Sequence, residues 1–176
     1  GMIGSISNNP EDYASFYHNY RGKRYRHDQV HNLFGYYMTR SASEAFERYV
    51  PEKRILLFSR ASYIGMHRFG GIWQGDNASW WSHLKMNVKM MPSLNMCGFL
   101  YTGADVGGFG ADATEDLVLR WLEFAVFTPL LRNHSARGTR RQEVYRFSHV
   151  EKFADVIGVR YQILPYIYSE YMKAAL

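Results

Sequence analysis

Cys97-Gly-Phe-Leu-Tyr-Thr102 runs without interruption into Gly103-Ala-Asp105-Val-Gly-Gly-Phe109. The first six residues read as a short, continuously apolar strand of the kind buried on both faces of a parallel sheet. The glycine-rich run after it does not match the G-x-G-x-x-G phosphate fingerprint, and no helix begins directly behind it. A parallel strand that ends in an acid, rather than in a phosphate loop, sets the question of which α/β architecture the chain adopts.

Three more strands are expected by the same reading. Arg54-Ile-Leu-Leu-Phe-Ser-Arg60 and Gly70-Gly-Ile-Trp73-Gln-Gly-Asp76 lie upstream, and Phe127-Thr-Pro-Leu-Leu131 lies downstream, leading into Arg132-Asn-His134. Helical periodicity runs from about Val30 to Tyr49, from Ser79 to Met91 where Pro92 should end it, and from Thr114 through Ala125. Thr114-Glu-Asp opens the third of these with N-cap chemistry. A last helix over Phe153–Ala175 contains Pro165, which should kink or interrupt it. Alternating helices and parallel-type strands imply an α/β fold, either an open sheet or part of a (β/α) barrel. Each strand ends on its carboxyl side in a polar residue that a core strand does not need, namely Arg60, Asp76, Asp105 and His134. That convergence fits a barrel mouth.

Residues 1–28 are polar and rich in turn formers and are expected to be a loop or insert region, leaving 29–176 as the folded unit. With 176 residues, 47% hydrophobic and 16% aromatic, the chain can bury a sizeable core. Its 14 Tyr, 11 Phe and 4 Trp supply core mass and flat apolar surfaces suited to sugar rings. The formal charge is +5, but the basic residues are scattered. Their one dense cluster (Arg21, Lys23, Arg24, Arg26) lies in a polar stretch, so a solvated loop is favoured over a nucleic-acid partner. The single cysteine, Cys97, excludes an internal disulfide and suggests a buried thiol in a reducing, cytoplasmic compartment. No run of about 18 apolar residues supports membrane insertion, and neither a metal site nor a cofactor is implied, since no His or acid pair has ligand spacing.

Singly, each rim residue has a structural explanation. Asp76 could cap a helix or close a turn, Asp105 could be a turn acid or a buried ion-pair partner with Arg60 as its mate, His134 a hydrogen-bonded loop residue, and Trp73 core. In order, however, Ser59-Arg60-Ala-Ser-Tyr, Trp73-Gln-Gly-Asp76-Asn77, Gly103-Ala-Asp105-Val-Gly-Gly-Phe109, Arg132-Asn-His134-Ser and Gly138-Thr-Arg-Arg-Gln-Glu143 resemble the consecutive signatures of glycoside hydrolase family 31 α-glucosidases. The resemblance extends from His31-Asn-Leu-Phe-Gly35 to Leu164-Pro165-Tyr-Ile-Tyr168.

The resemblance implies a partial (β/α)8 TIM barrel, about strands five to eight with their helices. Asp76 matches the general acid/base, and Arg60, Trp73, Asp105, Phe109 and His134 match residues around the non-reducing terminal sugar of an α-glucoside oligosaccharide. As an acid, Asp76 should sit in a partly apolar pocket once the site is complete. Retaining hydrolysis needs a second carboxylate. The family's nucleophile motif, W-x-D-M-N-E on the fourth strand, has no counterpart here, so the chain is expected to start just beyond it, to lack activity alone, and to associate with the remaining half-barrel or with itself. Alternatives within the family are an α-xylosidase or an α-glucan-processing enzyme; outside it, a non-catalytic carbohydrate-binding module.

Overall fold

The computed structural model describes residues 10–175. Its elements in chain order are α1 (Pro10–Ser15), β1 (Tyr17–Tyr20), β2 (Lys23–Arg26), α2 (His27–Tyr49), β3 (Phe58–Ser59), β4 (Gly71–Trp73), α3 (Trp81–Met96), β5 (Thr102–Val106), α4 (Glu115–Ala125), β6 (Leu130–Asn133) and α5 (Val150–Ala175). The last four strands form one parallel sheet in the order β3-β4-β5-β6. Pairing joins Phe58 to Gly71, Ile72 to Thr102, and Gly103 through Val106 to Leu130 through Asn133. All four apolar runs therefore lie side by side and point the same way, as the sequence predicts.

Several boundaries differ. Most of the apolar residues of Arg54–Leu57 and of Cys97–Tyr101 lie outside the strands, which begin later, at Phe58 and Thr102; only the Leu57 and Tyr101 carbonyls join the ladder, accepting from Gly71 and Ile72. Between β3 and β4 the chain runs as a loop with one 3-10 turn at Met66–Arg68. Pro92 lies inside α3, which continues to Met96; a proline this near the end of a helix forfeits one hydrogen bond and leaves only one further turn to hold. α5 likewise runs through Pro165 as one assigned helix.

The expected loop over residues 1–28 is corrected from Pro10 onward, its first nine positions lying outside the described residues. A short helix and an antiparallel hairpin form there, turning at Arg21 and Gly22 with φ of 49° and 74°. The basic cluster is spent locally. The Arg24 guanidinium lies 3.9 Å from the Tyr17 ring centroid and Arg26 pairs with Asp28 at 2.9 Å. Cys97, expected to be buried, is exposed, because it caps the end of α3 instead of entering a strand.

Packing concentrates on one side of the sheet. α4 presents Leu117, Val118, Trp121, Leu122 and Ala125 on one face, a stripe wide enough to meet Ala104 and Val106 of β5 and Phe153 of α5. Thr114 Oγ1 accepts the Leu117 N–H at 3.3 Å and fixes the start of α4. Trp121 and Phe153 are wholly buried, and truncating such a ring costs about 3–5 kcal/mol. α2 packs far less completely. Its buried positions are His27, Gly35, Thr39 and Ser43, and at Gly35 an added Cβ would lie 2.7 Å from that of Ala61. Phe34, Met38, Phe46 and Tyr49 of α2 stay exposed, as does Phe127. Among the described residues no helix is long and apolar enough to cross a membrane.

Candidate active site

The parallel sheet delivers its polar residues to one rim. Arg60 follows β3 directly, Asp76 lies three residues beyond β4, Asp105 is the penultimate residue of β5, and His134 follows β6. Because Ala104 and Val106 belong to the core under α4, the pleat turns Asp105 to the opposite face. Trp73 lies on that face too, since the Arg132 guanidinium that reaches Asp105 also covers the Trp73 ring.

Two ion pairs organise this rim. Arg60 Nη1 donates to Asp76 Oδ2 at 2.9 Å, and Arg132 Nη2 donates to Asp105 Oδ1 at 2.5 Å. The mate of Asp105 is thus Arg132, its register partner on β6, and not Arg60. The two pairs differ in setting. Side-chain exposures of 42% and 43% leave the Arg60–Asp76 pair in solvent, whereas Asp105 is 1% exposed. Burial pushes the Asp105 carboxyl above its ordinary range, Arg132 and then His134 pull it back, and the like charge of Asp76 adds to the rise. A carboxyl with a raised folded-state pKa lends stability when protonated and withdraws it as pH rises through that value. Ionised Asp105 is therefore less favourable to the fold than its protonated form, and Arg132 offsets part of that cost.

The partly apolar surround expected for Asp76 is absent from the chain itself, where the carboxylate faces Arg60 and solvent. Backbone geometry nevertheless holds the loop tightly. Gly75 has φ of +74°, and a Cβ there would lie 3.1 Å from Arg60 Cδ, so the glycine lets Arg60 lie across the turn. Asn77 is buried, donates to the Gly75 carbonyl at 3.2 Å, and through its own carbonyl accepts the N–H groups of Phe109 and Gly110. Phe109 in turn accepts the Ala136 N–H at 2.8 Å, and its ring lies 5.3 Å from that of His134. The loops after β4, β5 and β6 are in this way one hydrogen-bonded unit. Gln142 locks it from beneath, donating to Val106 O at 2.9 Å and to Asn133 Oδ1 at 3.1 Å.

All six expected site residues come to this rim. The motif runs contain Arg132 and Gln142, to which the sequence alone assigns no role. Arg132 acquires its role only through the register of β6 against β5, which sets it opposite Asp105. Phe58 was read as strand core only, yet its ring meets Trp73 edge-on at 5.7 Å and extends the aromatic floor. Among the described residues no group of three or more potential ligands could hold a metal. Chemically the rim offers an exposed carboxyl able to exchange a proton, a buried carboxylate to accept a hydroxyl, two guanidinium donors and an apolar floor.

Residues 4–170 match the model of the glycosyl hydrolases family 31 TIM-barrel domain. The chain is 36% identical over 161 residues to alpha-glucosidase 2 of Bacillus thermoamyloliquefaciens, covering 89% of this chain and 20% of the relative. It is 32% identical over 148 residues to neutral alpha-glucosidase C of Mus musculus, covering 82% and 16%. Among solved structures, a family 31 dextranase of Flavobacterium johnsoniae complexed with glucose aligns with a TM-score of 0.85 at 28% identity, over 97% of this chain and 22% of that one. A glucosidase II alpha subunit aligns with a TM-score of 0.80 at 33% identity, over 86% and 17%. The chain thus spans about a fifth of the length of the proteins it matches.

Proposed function

This chain belongs to family 31 of the glycosyl hydrolases, and from that premise we propose that it forms strands five to eight of the catalytic barrel of a retaining, exo-acting α-glucosidase. Asp76 is the general acid/base. Arg60, Trp73, Asp105, Phe109 and His134 line the pocket for the terminal glucose. The observation that carries this reading is the meeting of the Arg60–Asp76 and Asp105–Arg132 pairs on the carboxyl rim of four parallel strands, above an aromatic floor.

The chemistry follows from the two kinds of carboxyl. Asp76, at the exposed edge, protonates the leaving oxygen and afterwards takes a proton from the attacking water. A second carboxylate, about 5–5.5 Å away, attacks the anomeric carbon. That nucleophile comes from a fourth strand outside the present chain, so the chain alone does not turn over. The same missing strands complete the partly apolar surround that Asp76 needs to hold its proton near neutrality. On this reading the rest of the barrel, or a second copy, covers the edges of β3 and β6, which are unpaired among the described residues, the exposed apolar side chains of α2, and a recess of about 700 Å³ beside β6 lined by Leu131, His134 and Tyr145.

Hydrolysis of a nitrophenyl α-glucoside by the full-length protein, with the first-formed anomer read by NMR, tests the proposal. Release of α-glucose supports it; no hydrolysis, or release of β-glucose, contradicts it. The likeness to a dextranase favours one second reading, action on an α-glucan chain. Faster turnover of dextran than of maltose selects that reading.

A further inference from the structure

Three buried polar atoms stand together on the site face of the sheet without a hydrogen-bond partner: Trp73 Nε1, Asp105 Oδ2 and Arg132 Nε. Unpaired buried donors and acceptors are rare and costly. Two of these could have paired with each other, because a guanidinium fork and a carboxylate can make two parallel hydrogen bonds. Only one arm is made, from Nη2 to Oδ1 at 2.5 Å. The guanidinium is instead carried over the rings of Phe58 and Trp73, 5.6 Å from each centroid, so that one side chain of β6 reaches across to β4 and β3. Two donors and one carboxylate oxygen are left, a set that a single hydroxyl can satisfy by donating to the oxygen and accepting from both nitrogens.

We propose that Arg132 is a positioning residue of the sugar pocket, aiming Asp105 so that its second oxygen accepts one particular hydroxyl of the terminal glucose. This rests on the α-glucosidase reading above. Arg132 keeps 31% exposure against 1% for Asp105, so an arriving sugar meets the guanidinium before the carboxylate. The charged groups facing Asp105 are Arg132, His134 and Asp76. Without Arg132, burial and the like charge of Asp76 are opposed by His134 alone, and Asp105 takes up a proton more readily. A protonated, unaimed Asp105 no longer demands a hydroxyl donor.

The test uses the full-length protein with a nitrophenyl α-glucoside and its four monodeoxy analogues, comparing wild type with Arg132→Met and Arg132→Lys. Wild type is expected to reject one analogue by roughly a hundredfold or more in kcat/KM, as sites built around a substrate hydroxyl do. In Arg132→Met that single penalty falls below about tenfold, the other three stay, and part of it returns at higher pH as Asp105 ionises. Arg132→Lys, which keeps the cation and serves in place of Arg132→Met should that variant fail to fold, recovers part of it. A uniform loss on all five substrates with an unchanged pH profile overturns the inference and leaves Arg132 a structural ion-pair partner. A wild type that cleaves none of the five puts the α-glucosidase reading at fault. Arg132 is then judged by the ¹³C carboxyl titration of Asp105, assigned by its loss in Asp105→Asn. An unmoved titration in Arg132→Met overturns the positioning role.

Discussion

Replacing Asp76 with asparagine separates what this residue does for the fold from what it does for chemistry. On the fold side it removes the charge from one ion pair whose partners are 42% and 43% exposed. Pairs in that setting contribute about 0–1 kcal/mol, and asparagine keeps an oxygen that can still accept from Arg60. On the chemical side, loss of a positioned general acid costs roughly a hundred- to ten-thousand-fold in rate, or about 3–5 kcal/mol of barrier. The second effect should therefore dominate, and it should depend on the leaving group. Maltose, whose departing alkoxide needs protonation, should lose the full factor in kcat/KM, which reads the first step; a nitrophenyl α-glucoside, whose phenolate leaves without help, should lose about tenfold or less in kcat/KM. The assay is steady-state kinetics on both substrates with the full-length protein, alongside a thermal melt. Equal losses on the two substrates together with a clear fall in Tm would mean that Asp76 is a turn residue and that the acid lies elsewhere.

Three further outcomes follow from the same geometry. Thr114→Ala should lower stability by about 1 kcal/mol, measured by urea unfolding, by removing the cap on the Leu117 N–H at 3.3 Å. The His149 backbone N–H, donating to Glu115 at 2.7 Å, holds the Glu115 carboxyl below its ordinary range. A depressed carboxyl adds stability above its unfolded value, near 4.5, and loses it as pH falls through the lower folded value, so Glu115→Gln should flatten the acid limb of the stability profile. The chain by itself should sediment as something other than a folded monomer at micromolar concentration, given edges of β3 and β6 that are unpaired among the described residues and the exposed Phe34, Met38 and Phe127, and glycosidase activity should appear only on mixing with a segment that carries the nucleophile strand. Activity in the isolated chain contradicts the second half of that expectation.

How far the sequence could be read depended on where pairing, rather than hydrophobicity, decides the outcome. α4 was plain from Leu117, Trp121, Leu122 and Ala125, because an apolar stripe at helical spacing reports burial directly. The existence and order of the four strands were plain as well, but their limits were not. Cys97–Tyr101 is as apolar as a strand, yet pairing begins at Thr102 and runs through Gly103, Ala104 and Asp105, which composition alone marks as a turn. Small residues there let neighbouring strands and α4 approach closely, a property of the packed sheet that the residue types show only in retrospect. The hairpin at Tyr17–Arg26 was hidden by its polar, basic composition, since its stability comes from cross-strand and cation-ring contacts and not from an apolar face. Asp76, Asp105 and His134 stood out because strand ends do not need acids or imidazoles. Arg132 did not, because an arginine two residues before a histidine gains meaning only when β6 lies against β5 and the pleat brings it to Asp105.

The most direct test of the account is a crystal structure of the full-length protein holding an uncleaved α-glucoside. The account predicts the Asp76 carboxyl within about 3.2 Å of the glycosidic oxygen, a second carboxylate about 5–5.5 Å from it on the other face of the sugar, and glucose hydroxyls against Asp105 and Arg60. A sugar bound away from the carboxyl rim of β3 to β6, or an Asp76 still paired to Arg60 with no second carboxylate near it, would contradict it.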